Sequence, residues 1–208
     1  MYLDRPIADY LDDCAARKAA PGGGSVSALA GALAAAMSCM VANFTVGGEK
    51  HKEVEPQARE ALERSAEIMN ACAKIIDEDV EAYNGYTRAS QMPKETDAQR
   101  SARKEAMQNA LKRAMEVPMG LFRLCREQMS IAEKMANIGN LNLVSDAGVS
   151  MLLAEAAMHG ARLNVEINCK YLKDEELVAG TRAEIEKVTK ECAGIRDRVM
   201  KIVNSMVK

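Results

Sequence analysis

Aromatic side chains are scarce in this 208-residue chain, which has no Trp, two Phe and an aromatic content of 3%. β-Sheets favour aromatic and β-branched residues, so this composition argues against a sheet protein. The core has to be filled largely by Ala, Leu, Ile, Val and the 14 Met, which suit closely packed helices. Long helical patterns joined by short loops predict one all-α domain over 1–208. We expect an antiparallel bundle of five to six helices.

Clustered metal ligands and an excess of basic residues are also lacking. The six Cys stand far apart without a C-x-x-C pair, and there are only two His, so we expect free thiols and no metal site. The formal net charge of -2 argues against nucleic acid as a partner. The N-terminus has no signal-peptide pattern, so we expect a cytoplasmic protein.

Charge is missing altogether from residues 19–48. A membrane span is one explanation for such a run. The segment is rich in Ala, Gly and Ser, however, and the other helical stretches are charged and amphipathic. We therefore predict a central small-residue helix that lets neighbouring backbones approach closely, with a second subunit as a further possible cover. We expect no membrane contact.

The pattern predicts six helical stretches with short connections. Pro118 should kink or divide the fourth stretch, Asp97 is a candidate N-cap for it, and Ser145 or Asp146 could cap the fifth. The predicted stretches are 7–19, 24–46, 52–90, 97–136, 146–170 and 174–207.

A glycine-rich segment precedes the uncharged helix and consists of Pro21, Gly22, Gly23, Gly24 and Ser25. Glycines let a backbone approach a ligand closely, and free amides at a helix N-terminus favour an anionic or carbonyl-bearing ligand. A flexible turn with Ser25 as N-cap explains the segment equally well.

Asp79 follows Ile75 by four residues and precedes Tyr83 by four, which places it on the apolar face of the third helix. Burial there should raise the carboxyl pKa towards the range of a general base or acid working near neutral pH. The alternative is a structural Asp neutralised by a Lys or Arg from another helix.

Two further polar segments are candidates for the site. Lys50 follows the uncharged helix and could reach a ligand carboxylate or assist proton transfer, or simply complement the helix dipole. Asn142 and Asp146 lie in a glycine-bearing loop and could hydrogen-bond a heterocycle, or cap the fifth helix.

Taken together, the motifs resemble those of the cyclodeaminase/cyclohydrolase family of folate enzymes. The family includes the C-terminal domain of formiminotransferase-cyclodeaminase and stand-alone bacterial methenyltetrahydrofolate cyclohydrolases. The matching segments, in the order of the family, are Pro21-Gly22-Gly23-Gly24-Ser25, Ile76-Asp77-Glu78-Asp79-Val80-Glu81-Ala82-Tyr83, Glu116-Val117-Pro118 and Gly139-Asn140-Leu141-Asn142-Leu143-Val144-Ser145-Asp146-Ala147-Gly148.

The resemblance implies a helical homodimer with a folate cleft near the subunit interface and an aspartate at the position of Asp79 assigned to the reaction. It also implies that the glycine segment and the Asn142/Asp146 loop contribute to the cleft. The tetrahydrofolate derivative is then the substrate, and we expect no separate cofactor. In this reading Asp146 pairs with the pterin, and Lys50 meets the folate carboxylates or the developing oxyanion.

The stretches 40–47 and 125–142 look more like the stand-alone cyclohydrolases, which open methenyltetrahydrofolate to 10-formyltetrahydrofolate. The alternative is the cyclodeaminase reaction, which closes formiminotetrahydrofolate and releases ammonia. A third possibility is a helical protein without catalytic activity that uses its small-residue helix for oligomerisation. That possibility requires Asp79 in a closed ion pair, away from any groove.

Overall fold

The computed structural model describes residues 2–207, which contain six α-helices, three short 3-10 turns and no β-strand. The predicted all-α class is confirmed. The helices are α1 (Ile7–Ala15), α2 (Gly23–Asn43), α3 (Glu55–Ser90), α4 (Asp97–Ile138), α5 (Val144–Cys169) and α6 (Glu175–Val207).

Consecutive long helices run in opposite directions, as predicted. Ser25 near the start of α2 contacts Asp79 late in α3, whereas Cys39 further along α2 reaches Leu62 early in α3. The same reversed order of contacts joins α3 to α4, α4 to α5, and α5 to α6. The result is an antiparallel bundle in which every long helix packs against its neighbours in sequence.

Helix α2 lies at the centre of the bundle and packs against α3, α4 and α5. Ala28, Ala34 and Ala35 are completely buried. A Cβ added at Gly160 of α5 would lie 2.2 Å from the Ser27 hydroxyl oxygen, so a side chain there would displace this hydroxyl where α2 and α5 approach closely. The predicted central small-residue helix is thus observed, and small size is what its position requires.

By length and composition alone, Gly23–Asn43 and Leu141–Cys169 are apolar enough to cross a membrane. Of the most apolar window of Gly23–Asn43, 56% is buried inside the bundle. The core helix of a helical bundle has the same composition, so the uncharged run is accounted for by packing within the protein.

Most helix boundaries differ from the predicted ones, by one to four residues. Helix α1 ends at Ala15 rather than 19. The N-cap of α4 is Thr96, not Asp97. The Thr96 hydroxyl accepts a hydrogen bond from the Gln99 backbone amide, and the Thr96 backbone amide donates to the Gln99 side chain. Helix α5 begins at Val144, so the proposed caps Ser145 and Asp146 lie inside its first turn, and no side chain caps it.

Pro118 does not divide α4, which is continuous from Asp97 to Ile138. Proline lacks the amide that would bond the carbonyl four residues earlier, here Ala114. That carbonyl is satisfied instead by the Asn168 side chain of α5, whose Nδ2 donates to it at 2.9 Å. A cross-helix bond therefore replaces the missing bond within the helix, and the helix continues.

Candidate active site

A cavity of about 290 Å³ lies where the start of α2 meets the later part of α3, the middle of α4 and the end of α5. Gly22 and Gly23 of the predicted segment line it, together with Asp79. The other polar side chains on its wall are Tyr83, Tyr86, Asn164, Asn168 and Tyr171. The glycine segment and Asp79, 54 residues apart in the chain, thus lie together at one cavity.

Asp79 is half-buried, and its Oδ2 accepts the backbone amide of Ser25 at 3.0 Å. Burial raises the pKa of the Asp79 carboxyl, and the Ser25 amide offsets part of that effect. No Lys or Arg among residues 2–207 lies within 4.0 Å of the carboxylate. Among the described residues the carboxylate therefore has no ion-pair partner, and it lies on the cavity wall.

Gly24 allows the carboxylate to sit against the start of α2. A Cβ at Gly24 would lie 2.0 Å from Asp79 Oδ1, so any other residue at this position would displace the carboxylate. The N-cap of α2 is Gly22 and not Ser25, so the turn with a Ser25 cap is wrong. Ser25 instead contributes a first-turn amide, which has no partner within its own helix and donates to Asp79.

Tyr10, which is not among the predicted site residues, supports this contact through Ser25. Its hydroxyl is hydrogen-bonded to the Ser25 hydroxyl at 3.0 Å, and its ring is buried against Tyr2 with 5.1 Å between ring centroids. Burial raises the pKa of Tyr10 to about 12, so its hydroxyl stays protonated at neutral pH. Helix α1 thereby fixes the first turn of α2, which in turn orients Asp79.

Two asparagines of α5 face the cavity and were not predicted. Asn164 donates to the Gly160 carbonyl, and Asn168 donates to the carbonyls of Ala114 and Asn164. These bonds hold both side chains in place through their NH2 groups. The carboxamide oxygens are then oriented acceptors for N–H donors of a ligand.

Three of the five Tyr in the chain, Tyr83, Tyr86 and Tyr171, line this cavity. Asp79, Tyr83 and Tyr86 follow an i, i+4, i+7 spacing, and that was the available sequence signal for the first two tyrosines. Aromatic walls with a few polar groups suit a flat heterocycle. Residues 2–207 contain no group of three His, Cys, Asp or Glu that could hold a metal ion.

Pro21 directly precedes the α2 N-cap Gly22, whereas three other predicted site residues lie at the opposite end of α2. Lys50 is exposed in the 3-10 turn Glu49–His51, and Asn142 and Asp146 flank the start of α5. The Asn140 amide binds the Thr45 hydroxyl at 3.0 Å, which fixes this loop to the end of α2. Helix α2 has 21 residues, so within one chain about 30 Å separates these residues from the glycine segment.

The family model described as formiminotransferase-cyclodeaminase matches residues 6–187. Among curated proteins, the chain is 39% identical to methenyltetrahydrofolate cyclohydrolase from Methylorubrum extorquens, with all of both chains covered. It is 34% identical to formimidoyltransferase-cyclodeaminase from Gallus gallus over 91% of this chain but 35% of that protein. The chain thus spans about a third of the length of the animal enzyme.

A solved structure is also similar to this chain over its full length. The crystal structure of formiminotetrahydrofolate cyclodeaminase from Thermotoga maritima superposes with a TM-score of 0.90, at 30% sequence identity and with both chains fully covered. The similarity therefore extends over the whole bundle and includes the helices that form the cavity.

Proposed function

The chain belongs to the formiminotransferase-cyclodeaminase family, and on that premise we propose that it hydrolyses 5,10-methenyltetrahydrofolate to 10-formyltetrahydrofolate. The family resemblance seen in the motifs is confirmed. The full-length relative from Methylorubrum extorquens, whose name is methenyltetrahydrofolate cyclohydrolase, supports this reaction over cyclodeamination.

The observation that carries the proposal is the state of Asp79. It is a half-buried carboxylate without a cationic partner among the described residues, on the wall of a cavity lined by aromatic rings. A purely structural helical protein would gain nothing from such a group, because burying an unpaired carboxylate is unfavourable. A positively charged substrate, such as the methenyl cation, would compensate that cost on binding.

In the proposed reaction Asp79 acts as the general base. It removes a proton from water as the water oxygen forms a bond to the methenyl carbon between the two folate nitrogens. When the bond from this carbon to N5 breaks, Asp79 returns the proton to N5, and the hydroxyl on the carbon becomes the formyl oxygen with release of one proton. The ionised carboxylate also stabilises the cation before attack, and the Ser25 amide keeps Oδ2 in place.

The exposed apolar residues support a homodimer. Val26 and Leu33 on α2 and its C-cap Phe44 lie on one face and are 46%, 49% and 62% exposed. On the neighbouring α5, Val149 and Leu152 are 44% and 46% exposed. A continuous exposed apolar face of this kind is typical of a subunit interface.

A two-fold axis perpendicular to α2 and near Leu33, the midpoint of this helix, would place its two copies antiparallel. The end of α2 that carries Lys50, Asn142 and Asp146 in one subunit would then lie beside the glycine segment and Asp79 of the other. In this arrangement each folate site is built from both subunits, and Lys50 would meet the developing oxyanion and Asp146 the pterin across the interface.

Parallel assays separate the cyclohydrolase from the cyclodeaminase. We expect the purified protein to accelerate loss of methenyltetrahydrofolate well above its spontaneous hydrolysis and to turn over 5-formiminotetrahydrofolate far more slowly, if at all. Ammonia release from the formimino substrate, at a rate equal to or above that of methenyl hydrolysis, would establish the cyclodeaminase instead.

A further inference from the structure

A second cavity, of about 410 Å³, lies beside the first and has a different character. Its walls carry five cationic side chains and no acidic one, in a chain whose formal net charge is -2. We call these five residues the basic pocket: Lys94, Arg100, Arg103, Lys104 and Lys173.

Most of this charge is not neutralised within the protein. Arg103 donates through Nε and Nη2 to the Ser90 carbonyl at 2.9 and 2.8 Å, which fixes the guanidinium in place but leaves its charge uncompensated. Arg100 is the exception, because it pairs with Asp97. Across residues 2–207, no carboxylate lies within 4.0 Å of the cationic groups of the other four residues.

Two ammonium groups of the pocket also face each other. Lys104 lowers the pKa of the Lys173 side chain, because the two ammonium groups come within hydrogen-bonding reach and their positive charges repel. Another charged cavity of this protein is built differently: Arg123 pairs with Glu184 and Arg126 with Glu191 on its wall. Unpaired like charges around a cavity favour binding of an anion.

Gln108 joins the basic pocket to the active-site cavity. Its Nε2 donates to the Tyr171 carbonyl at 3.1 Å, and its Oε1 accepts the Lys173 amide at 2.9 Å. Tyr171 lines the active-site cavity, and Lys173 lines the basic pocket. On α4, Leu111 of the first cavity lies one turn from Met107 of the second, so the two cavities are neighbours on this helix.

We propose that the basic pocket binds the carboxylate-bearing glutamate tail of the folate while the active-site cavity holds the pterin, an assignment that rests on the proposed function. A folate with one glutamate brings two carboxylates, fewer than the cations available. Additional γ-linked glutamates each add one carboxylate, so the pocket favours a tail of several residues. This assignment differs from the sequence-based expectation that Lys50 binds the tail.

The test compares methenyltetrahydrofolate carrying one glutamate with the same substrate carrying three. For the wild-type protein we expect a lower KM with the longer tail. In Lys104→Gln and Lys173→Gln, which change exposed side chains, we expect KM for the long-tailed substrate to rise about three- to ten-fold with kcat unchanged. Lys112→Gln is the matched control, since it removes one exposed charge from the same helix outside both cavities and should leave KM unchanged.

Calorimetry with p-aminobenzoyl-triglutamate, a tail without the pterin, tests the pocket independently of turnover. We expect this fragment to bind the wild-type protein and to bind both pocket variants more weakly. Equal fragment affinity in all proteins would overturn the tail site, even if the enzyme hydrolyses its substrate. Displacement of the fragment by inorganic phosphate at equal concentration would also overturn it, by revealing a general anion site. Fragment binding without any folate turnover would instead overturn the proposed function and leave a site for polycarboxylates.

Discussion

At the scale of the residue, the site depends on a carboxylate that is kept partly out of water without a counter-charge. The Ser25 amide is its described hydrogen-bond partner, and Gly24 supplies the space that it occupies. Such a group is costly to the folded protein and useful to a base, because burial raises its affinity for a proton. Activity and stability therefore make opposite demands on Asp79.

Asp79→Asn should raise the melting temperature at pH 7. The pKa of Asp79 is raised in the folded state, so the unfolded chain loses this proton at a lower pH than the folded chain does. As pH rises from the unfolded-state pKa through the folded-state pKa, ionisation of Asp79 favours the unfolded state. Asn at this position carries no charge and still accepts a hydrogen bond from the Ser25 amide. Below the ordinary pKa range of Asp the carboxyl is protonated in both the folded and the unfolded protein. The difference in melting temperature between wild type and Asp79→Asn should therefore disappear there in thermal denaturation.

Asp12→Asn is the control for that experiment, because it removes an exposed carboxylate from α1. It should leave the pH dependence of stability unchanged. If Asp79→Asn instead destabilised the protein at pH 7, the carboxylate would have to be stabilised by a partner that this account lacks.

Gly24→Ala should reduce kcat by about 100-fold while the protein stays folded, since misplacing a catalytic group by about 1 Å can cost that much. The added Cβ would lie 2.0 Å from Asp79 Oδ1 and would push the carboxylate away from the Ser25 amide. Gly120→Ala is the control, because no other atom lies within 4 Å of a Cβ at that position. Steady-state kinetics with both variants checks this, and equal kcat values would show that the contact does not matter.

The sequence permitted prediction of Asp79 because local spacing alone places it on an apolar helix face. It did not permit prediction of Asn164 or Asn168, because their functional surroundings come from α2 and α4, far away in the chain. The sequence does not distinguish Thr96 from Asp97 as the N-cap of α4, because the two are adjacent and both residue types are good caps. Only the hydrogen bonds between Thr96 and Gln99 in the structure identify Thr96.

At the scale of the element, α4 and α5 are coupled through a proline. Pro118 leaves the Ala114 carbonyl without a helical donor, and Asn168 of α5 takes that place. The same asparagine lines the active-site cavity. An interruption in the hydrogen bonding of one helix therefore orients a cavity residue on the next.

Pro118→Ala should raise KM for the folate about five-fold, the equivalent of about 1 kcal/mol, with kcat nearly unchanged. The new amide at position 118 would bond the Ala114 carbonyl and compete with Asn168, which would become less well oriented. Pro56→Ala, in the first turn of α3 and away from the cavity, should leave KM unchanged. A KM unaffected by Pro118→Ala would mean that Asn168 is held by its other bond alone, to Asn164.

At the scale of the whole molecule, the predicted site residues fall at two ends of one helix. Asp79 and the glycine segment lie at the start of α2, and Lys50 follows its end. Sequence motifs indicate that residues belong to a site but not whether they belong to the same subunit. If a second copy covers the exposed apolar face that includes Leu33 in antiparallel orientation, Lys50 of one subunit lies near Asp79 of the other.

Mixing two inactive variants tests that arrangement. Asp79→Asn and Lys50→Gln homodimers should each be impaired, because every site lacks one of the two groups. A mixed dimer has one site with both groups intact if they come from different subunits, so we expect unfolding and refolding of the mixture to restore activity. If each site used Asp79 and Lys50 of the same chain, no mixed dimer would contain an intact site, and activity would stay at the level of the separate variants.

The most direct test of the central claim is loss of the methenyl chromophore with purified wild-type protein and with Asp79→Asn, corrected for spontaneous hydrolysis. We predict rapid loss with the wild-type protein and a fall in kcat/KM of about 100- to 10,000-fold in the variant, the range expected for removal of a general base. Circular dichroism should show the same helical content in both. A folded Asp79→Asn protein that hydrolysed methenyltetrahydrofolate at the wild-type rate would contradict the role of Asp79.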